Sequence, residues 1–186
     1  MFKQLASFLS VVVLAASFMS SSLASDTGAA SLNTQAERAI AQALADGHEV
    51  SVTASELVSA IQGINSASFV SQSVDDTFLA SSNNKRYKCS ATRWYAGHGL
   101  TINYWADANV SGGKITEITS TGWNYSWTTW WPTFDAVVTG NSSASIQGGG
   151  SRIKVRFDGQ VKYWFAGIPI STKAINLSCV EKCLST

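Results

Sequence analysis

Few side chains in this sequence are equipped for chemistry, and their spacing narrows the choice further. Histidine occurs only at His48 and His98, and cysteine only at Cys89, Cys179 and Cys183. His98 lies in Arg-Trp-Tyr-Ala-Gly-His-Gly, residues 93 to 99, whose composition predicts a tight, exposed turn with an imidazole able to serve as a general base. No Gly-x-Ser-x-Gly elbow accompanies it. Among the carboxylates of the C-terminal half, Asp107, Glu117, Asp135 and Asp158 are scattered rather than paired as glycoside hydrolysis requires. Asp75 and Asp76 are adjacent but fall in a Ser/Asn-rich stretch, and Cys179-x-x-x-Cys183 with one histidine is not a zinc ligand set. The residues therefore specify no catalytic constellation, metal or cofactor. A hydrolase using His98 ranks behind readings that rest on binding.

Binding has stronger candidates. TGWNYSWTTWWPTF, residues 121 to 134, holds Trp123, Trp127, Trp130 and Trp131. Trp123, Tyr125 and Trp127 recur with period two, which assigns them to one face of a strand and, by their size, to a core. Trp130 and Trp131 are neighbours, so an extended chain points them to opposite faces and leaves at least one at the surface beside Pro132. A second set lies in SRIKVRFDGQVKYWF, residues 151 to 165. There Arg152, Lys154, Arg156 and Lys162 alternate with apolar residues and share a face with Trp164. Cations beside an aromatic suit anionic polymers or anionic lipid headgroups. The plainer alternative is a solvated outer face whose charges discourage edge pairing. Nucleic acid is not expected as a partner, because no motif of a nucleic-acid-binding fold is present.

The opening MFKQLASFLSVVVLAASFMSSSLAS has a Lys, a short apolar run and Ser22-Leu23-Ala24 at its end, the pattern of a secretory signal peptide over residues 1–24. Export predicts an extracellular protein in which disulfides form. Three cysteines allow at most one intrachain bridge, read here as Cys89 to Cys179 or Cys183, and leave one thiol. Asn109, Asn124, Asn141 and Asn176 each begin an Asn-x-Ser triplet and would accept glycans in a eukaryotic secretory pathway. Charge divides the remainder. Residues 25–80 carry seven carboxylates against Arg38 alone, whereas residues 81–186 carry eleven Lys/Arg against five Asp/Glu. Lys85-Arg86 sits near that boundary, as in secreted precursors cut after a dibasic pair. The acidic part would then be a propeptide shielding a basic domain.

The elements that must position these residues follow from periodicity. Thr34-Gln-Ala-Glu37 and Thr53-Ala-Ser-Glu56 are capping-box patterns. They predict helices with Ala36, Ile40, Ala43 and Leu44 on one face, then Leu57, Ala60, Ile61 and Ile64. Residues 25–64 thus read as an acidic helical segment and 65–86 as a linker. Beyond Tyr87 the period becomes two, with turns at 110–114, Gly140-Asn141 and Gly148–Gly150. Asp158-Gly159 predicts a hairpin, and matching apolar to apolar across it requires a three-residue loop. The expected architecture is mainly β, a small antiparallel sandwich or partly open barrel over 87–186, preceded by the helical segment. Its expected role is non-enzymatic binding of a cell-surface glycan or other anionic surface, including an anionic membrane surface. Trp130, Trp131, Trp164, Arg152, Lys154, Arg156 and Lys162 would carry it. The alternative is a membrane-active toxin or effector released from its propeptide.

Overall fold

The computed structural model describes residues 29–78 and 83–183, with the side chains of 29, 30 and 71–78 not described. The signal peptide read at 1–24 lies outside the described residues. Among the described residues two helices, α1 (Ala29–Ala45) and α2 (Ala54–Ser66), precede seven strands. These are β1 (Val70–Phe78), β2 (Asn84–Tyr95), β3 (His98–Ser111), β4 (Lys114–Thr128), β5 (Phe134–Gln147), β6 (Arg152–Phe165) and β7 (Ile168–Lys182). They form two antiparallel sheets, β1-β2-β3-β4 and β5-β6-β7, in which each strand pairs with its neighbour in sequence. The protein is mainly β, and its layers make a small sandwich. The chain crosses from one sheet to the other at residues 129–133, around Pro132, which has no amide to give to a ladder.

Alternation fills the space between the sheets. Tyr87, Cys89 and Ala91 of β2 and Leu100, Ile102 and Tyr104 of β3 face Val155, Phe157, Val161 and Tyr163 of β6, all fully buried. Each large side chain removed from water contributes about 1.5–3 kcal/mol. Trp123 and Trp127 join this core from β4, with ring centroids 5.0 Å from Phe157 and 5.4 Å from Phe134 respectively. The Cys89–Cys179 disulfide links β2 to β7, with Cα atoms 6.4 Å apart. This settles the pairing that the sequence left open. Cys183 is the free thiol, half-buried, with the Tyr87 hydroxyl 3.8 Å from its sulfur.

The helices belong to the same core. Leu32, Ala36, Ala39 and Ala43 of α1 and Leu57, Ala60, Ile61 and Ile64 of α2 are buried in one continuous cluster with the strands. α1 packs on β6 and β7, and α2 on β2 and β3. Polar contacts fix the junction: the Tyr163 hydroxyl donates to Asn65 Oδ1 at 3.2 Å, and the Arg93 guanidinium lies 3.8 Å from the Phe69 ring. Burial pushes the Tyr163 pKa up to about 12, although the nearby Arg93 charge acts in the opposite direction. The phenol thus stays a donor.

One local expectation holds and five are corrected. The Thr53 capping box is present, with the Glu56 carboxylate accepting from the Thr53 amide at 2.8 Å. Its counterpart at Thr34 is not a helix start, because α1 begins at Ala29 and Glu37 instead accepts from Asn33 one turn earlier. The buried face of α1 is accordingly rotated, and Leu44 is exposed. The linker expected over 65–86 holds β1 and the start of β2. β1 is an edge strand of mixed polar composition, so its sequence carries no period, and its ladder skips Asp75 and Asp76. The hairpin at Asp158-Gly159 and the turn at Gly140-Asn141 are both absent: β5 and β6 run straight through, with Gly140 opposite Gly159 and Asn141 opposite Asp158. A Cβ on either glycine would meet Phe157 Cζ, at 2.7 Å from Gly140 and 2.8 Å from Gly159. The two glycines thus accommodate a ring rather than a reversal.

Candidate binding site

A cavity of about 280 Å³ opens where α2 meets the β2–β3 turn and the crossing between sheets. Three segments build it. The first is the start of α2, which presents Ser55, Glu56 and Ser59 beside Ala60. The second is the two-residue turn Ala96-Gly97, with φ of 45° and 85°, which joins Tyr95 to His98. The third is Trp130-Trp131 in the crossing. Trp130 is 69% exposed, the most exposed large hydrophobic side chain among the described residues. Its ring rests on Gly97, where a Cβ would lie 2.8 Å from Trp130 Cε2, and the Tyr95 ring sits against Gly63 of α2. Two glycines therefore set the positions of both outer walls.

His98 forms the floor. Its sequence context predicted an exposed turn, but the turn ends at Gly97 and His98 opens β3 with its side chain inward, 1% exposed. Its ring lies 4.5 Å from Trp131 and 5.3 Å from Phe134, centroid to centroid. Nδ1 shares a 2.9 Å hydrogen bond with Thr129 Oγ1, which also accepts from the Trp131 amide at 3.1 Å. Desolvation holds the imidazole pKa below its ordinary value. With a hydroxyl rather than a carboxylate on Nδ1, His98 serves to hold the aromatic crossing in place. At the rim, hydrogen bonds from the Thr53 amide and hydroxyl keep the Glu56 carboxyl below its usual pKa, and hence charged at neutral pH.

The sequence-predicted binding residues divide into two places. Trp130 and Trp131 line the cavity; Arg152, Lys154, Arg156, Lys162 and Trp164 do not. The latter five occupy even positions of β6, opposite in phase to its buried residues, and so share the outer face of the second sheet. Because β6 is continuous, that face is one strip. Arg156 approaches Asp158 at 3.7 Å, and Trp164 is half-buried with its indole N–H covered. Beside the strip, β5 sets Ser143, Ser145 and Gln147 opposite Arg156, Lys154 and Arg152.

Lys85 and Arg86 lie on β2, hydrogen-bonded between β1 and β3. Lys85 is 4% exposed, and Arg86 makes two bonds to Asp107, of 2.8 and 2.9 Å, while stacking on Trp105 at 5.1 Å. A pair held this way in a sheet interior is not presented in the flexible loop that the sequence reading placed it in. Asn124, Asn141 and Asn176 are exposed, and Asn109 is half-buried with its amide on Glu117. Sequence reasoning missed Tyr95, Ser55, Glu56 and Ser59. Tyr95 stood in the stretch that flagged His98, but nothing in the helix pattern of α2 signalled which loops its first turn would face.

No family model matches the chain, and no curated protein matches it. Among solved structures it is similar to a two-domain protein with unknown function from Bacteroides thetaiotaomicron VPI-5482, at 16% identity and a TM-score of 0.40. The match covers 54% of this chain and 48% of that one, so the chain spans about half the length of that protein. No helix among the described residues is long and apolar enough to cross a membrane.

Proposed function

We propose that this is a secreted, non-enzymatic binding protein that holds an anionic cell-surface glycan along the outer face of its second sheet. One observation carries this reading: Arg152, Lys154, Arg156 and Lys162 project from one face of an unbroken strand, with Trp164 at its end. Alternate residues of a strand are spaced by roughly 7 Å, so Arg152, Lys154 and Arg156 form a regular row of positive charge. The hydroxyls and amides of β5 beside it suit sugar hydroxyls. Strip residues are exposed or half-exposed, so they attract an acidic chain without a large desolvation cost. The released-toxin alternative gains nothing comparable, because its propeptide forms part of the core.

Retention on immobilised acidic polysaccharide, against a neutral one, tests the reading. Arg152→Gln, Lys154→Gln and Arg156→Gln together should weaken retention about tenfold or more and flatten its dependence on salt. Equal retention of this variant, or equal binding to the neutral polymer, would sink the proposal. Dye leakage from anionic vesicles would redirect it to membranes.

A further inference from the structure

The cavity between α2 and the sheet crossing has a chemistry opposite to that of the basic strip. Its walls are aromatic: Trp130 and Tyr95 on the open side, Trp131 and His98 beneath. Among the described residues no lysine or arginine lines it, and the one carboxylate at its rim is Glu56. We infer that this cavity is an aromatic cage for a small organic cation, a quaternary or methylated ammonium group.

The physical case rests on three features together. Ring faces carry negative quadrupole density, so a cation enclosed by several rings is attracted to each, and most strongly to tryptophan. A poorly hydrated methylated ammonium gives up little solvation on entering, unlike a primary amine. The Glu56 carboxylate supplies the complementary charge at the rim, where the Thr53 amide and hydroxyl hold it in place at 2.8 Å each. The cage is also built before a ligand arrives. Trp130 rests on Gly97, Tyr95 on Gly63, and Trp131 is fixed edge-on to His98 with centroids 4.5 Å apart. Preformed walls reduce the ordering cost of binding. Ser59 faces a hydroxyl or ester oxygen attached to the ammonium, whereas the Ser55 hydroxyl already shares a 3.1 Å hydrogen bond with Thr53 Oγ1. The site is separate from the glycan-binding face, since none of the strip residues lines it. Either proposal can therefore fail without the other.

The test is titration of the purified full chain with choline, followed by tryptophan fluorescence, beside its uncharged isostere 3,3-dimethylbutan-1-ol. Saturable binding of choline, with the isostere at least about tenfold weaker, is the expected result. Trp130→Ala should abolish the response and Glu56→Gln should weaken it several-fold. Glu56→Gln preserves a capping side chain, and Trp130 is exposed, so both variants are expected to fold; circular dichroism checks that they do. Retention on phosphatidylcholine vesicles that Trp130→Ala removes would identify a lipid headgroup as the source of the cation, and choline binding without it a free small molecule. Equal binding of the neutral isostere would reduce the cavity to an apolar pocket. Absence of both choline binding and vesicle retention would overturn the inference.

Discussion

At the scale of single residues, His98 shows how position overrides type. An imidazole in a glycine-flanked stretch reads as an exposed base, yet here it is enclosed by Trp127, Trp130, Trp131 and Phe134. Burial favours the neutral ring, so the folded pKa lies below the ordinary value of 6.5, to which the unfolded chain returns. The sign follows from proton uptake: between those two values the unfolded state binds more protons, so acid favours unfolding. The contribution of the neutral ring is complete above pH 6.5 and declines as pH falls through the folded value. Urea unfolding at pH 7.5 and at pH 5.5 should therefore show a loss of stability that His98→Asn largely removes. The paired Asp107 does not account for this window, because its hydrogen bonds from Arg86 and Ser120 hold its pKa below the usual carboxylate range. An unchanged pH response in His98→Asn would contradict the account.

At the scale of elements, the strongest periodic signals were legible and the punctuation was not. Period-two alternation located β3, β4 and most of β6, and the Thr53 capping box marked the start of α2 within a residue. β1 was missed because an edge strand pairs on one side only and needs no apolar stripe. Gly140-Asn141 and Asp158-Gly159 misled because the same dipeptides that favour turns also provide bare backbone for a ring to cover. Sequence spacing cannot distinguish these uses; cross-strand register can. The cavity was only half visible, since Trp130 and Trp131 are local in sequence whereas Glu56 and Tyr95 reach them through tertiary packing. Gly140→Ala tests the reassigned glycine. A methyl there meets Asp158 O at 2.6 Å as well as Phe157, so stability should fall by about 1–3 kcal/mol in urea unfolding. A neutral result would mean that Phe157 can move aside.

At the scale of the whole molecule, the two helices decide what counts as the folded unit. Charge contrast alone suggests that the acidic N-terminal part separates from a basic β domain. The buried faces of α1 and α2 say otherwise, since Ile61, Ile64 and Ala39 are fully enclosed with the strands. A chain beginning at Tyr87 would lose both helices and β1, and expose the surfaces of β2, β6 and β7 that they cover. Such a truncation should aggregate or show no cooperative thermal transition, while the chain from Ser25 melts as one unit. A cooperatively folded fragment from Tyr87 would restore the propeptide interpretation.

The Cys89–Cys179 bond has a consequence for how the layers are tethered. The main chain passes between the sheets at residues 129–133, and the disulfide joins the same two sheets a second time, between β2 and β7. A cut in the backbone beside Trp130 would therefore leave both halves on one covalent thread, separable only by a reductant. The segment that carries the cage tryptophans is in this sense mechanically redundant. It can be strained by a ligand, nicked, or lengthened by insertion while the sulfur crosslink continues to bear the load between the layers.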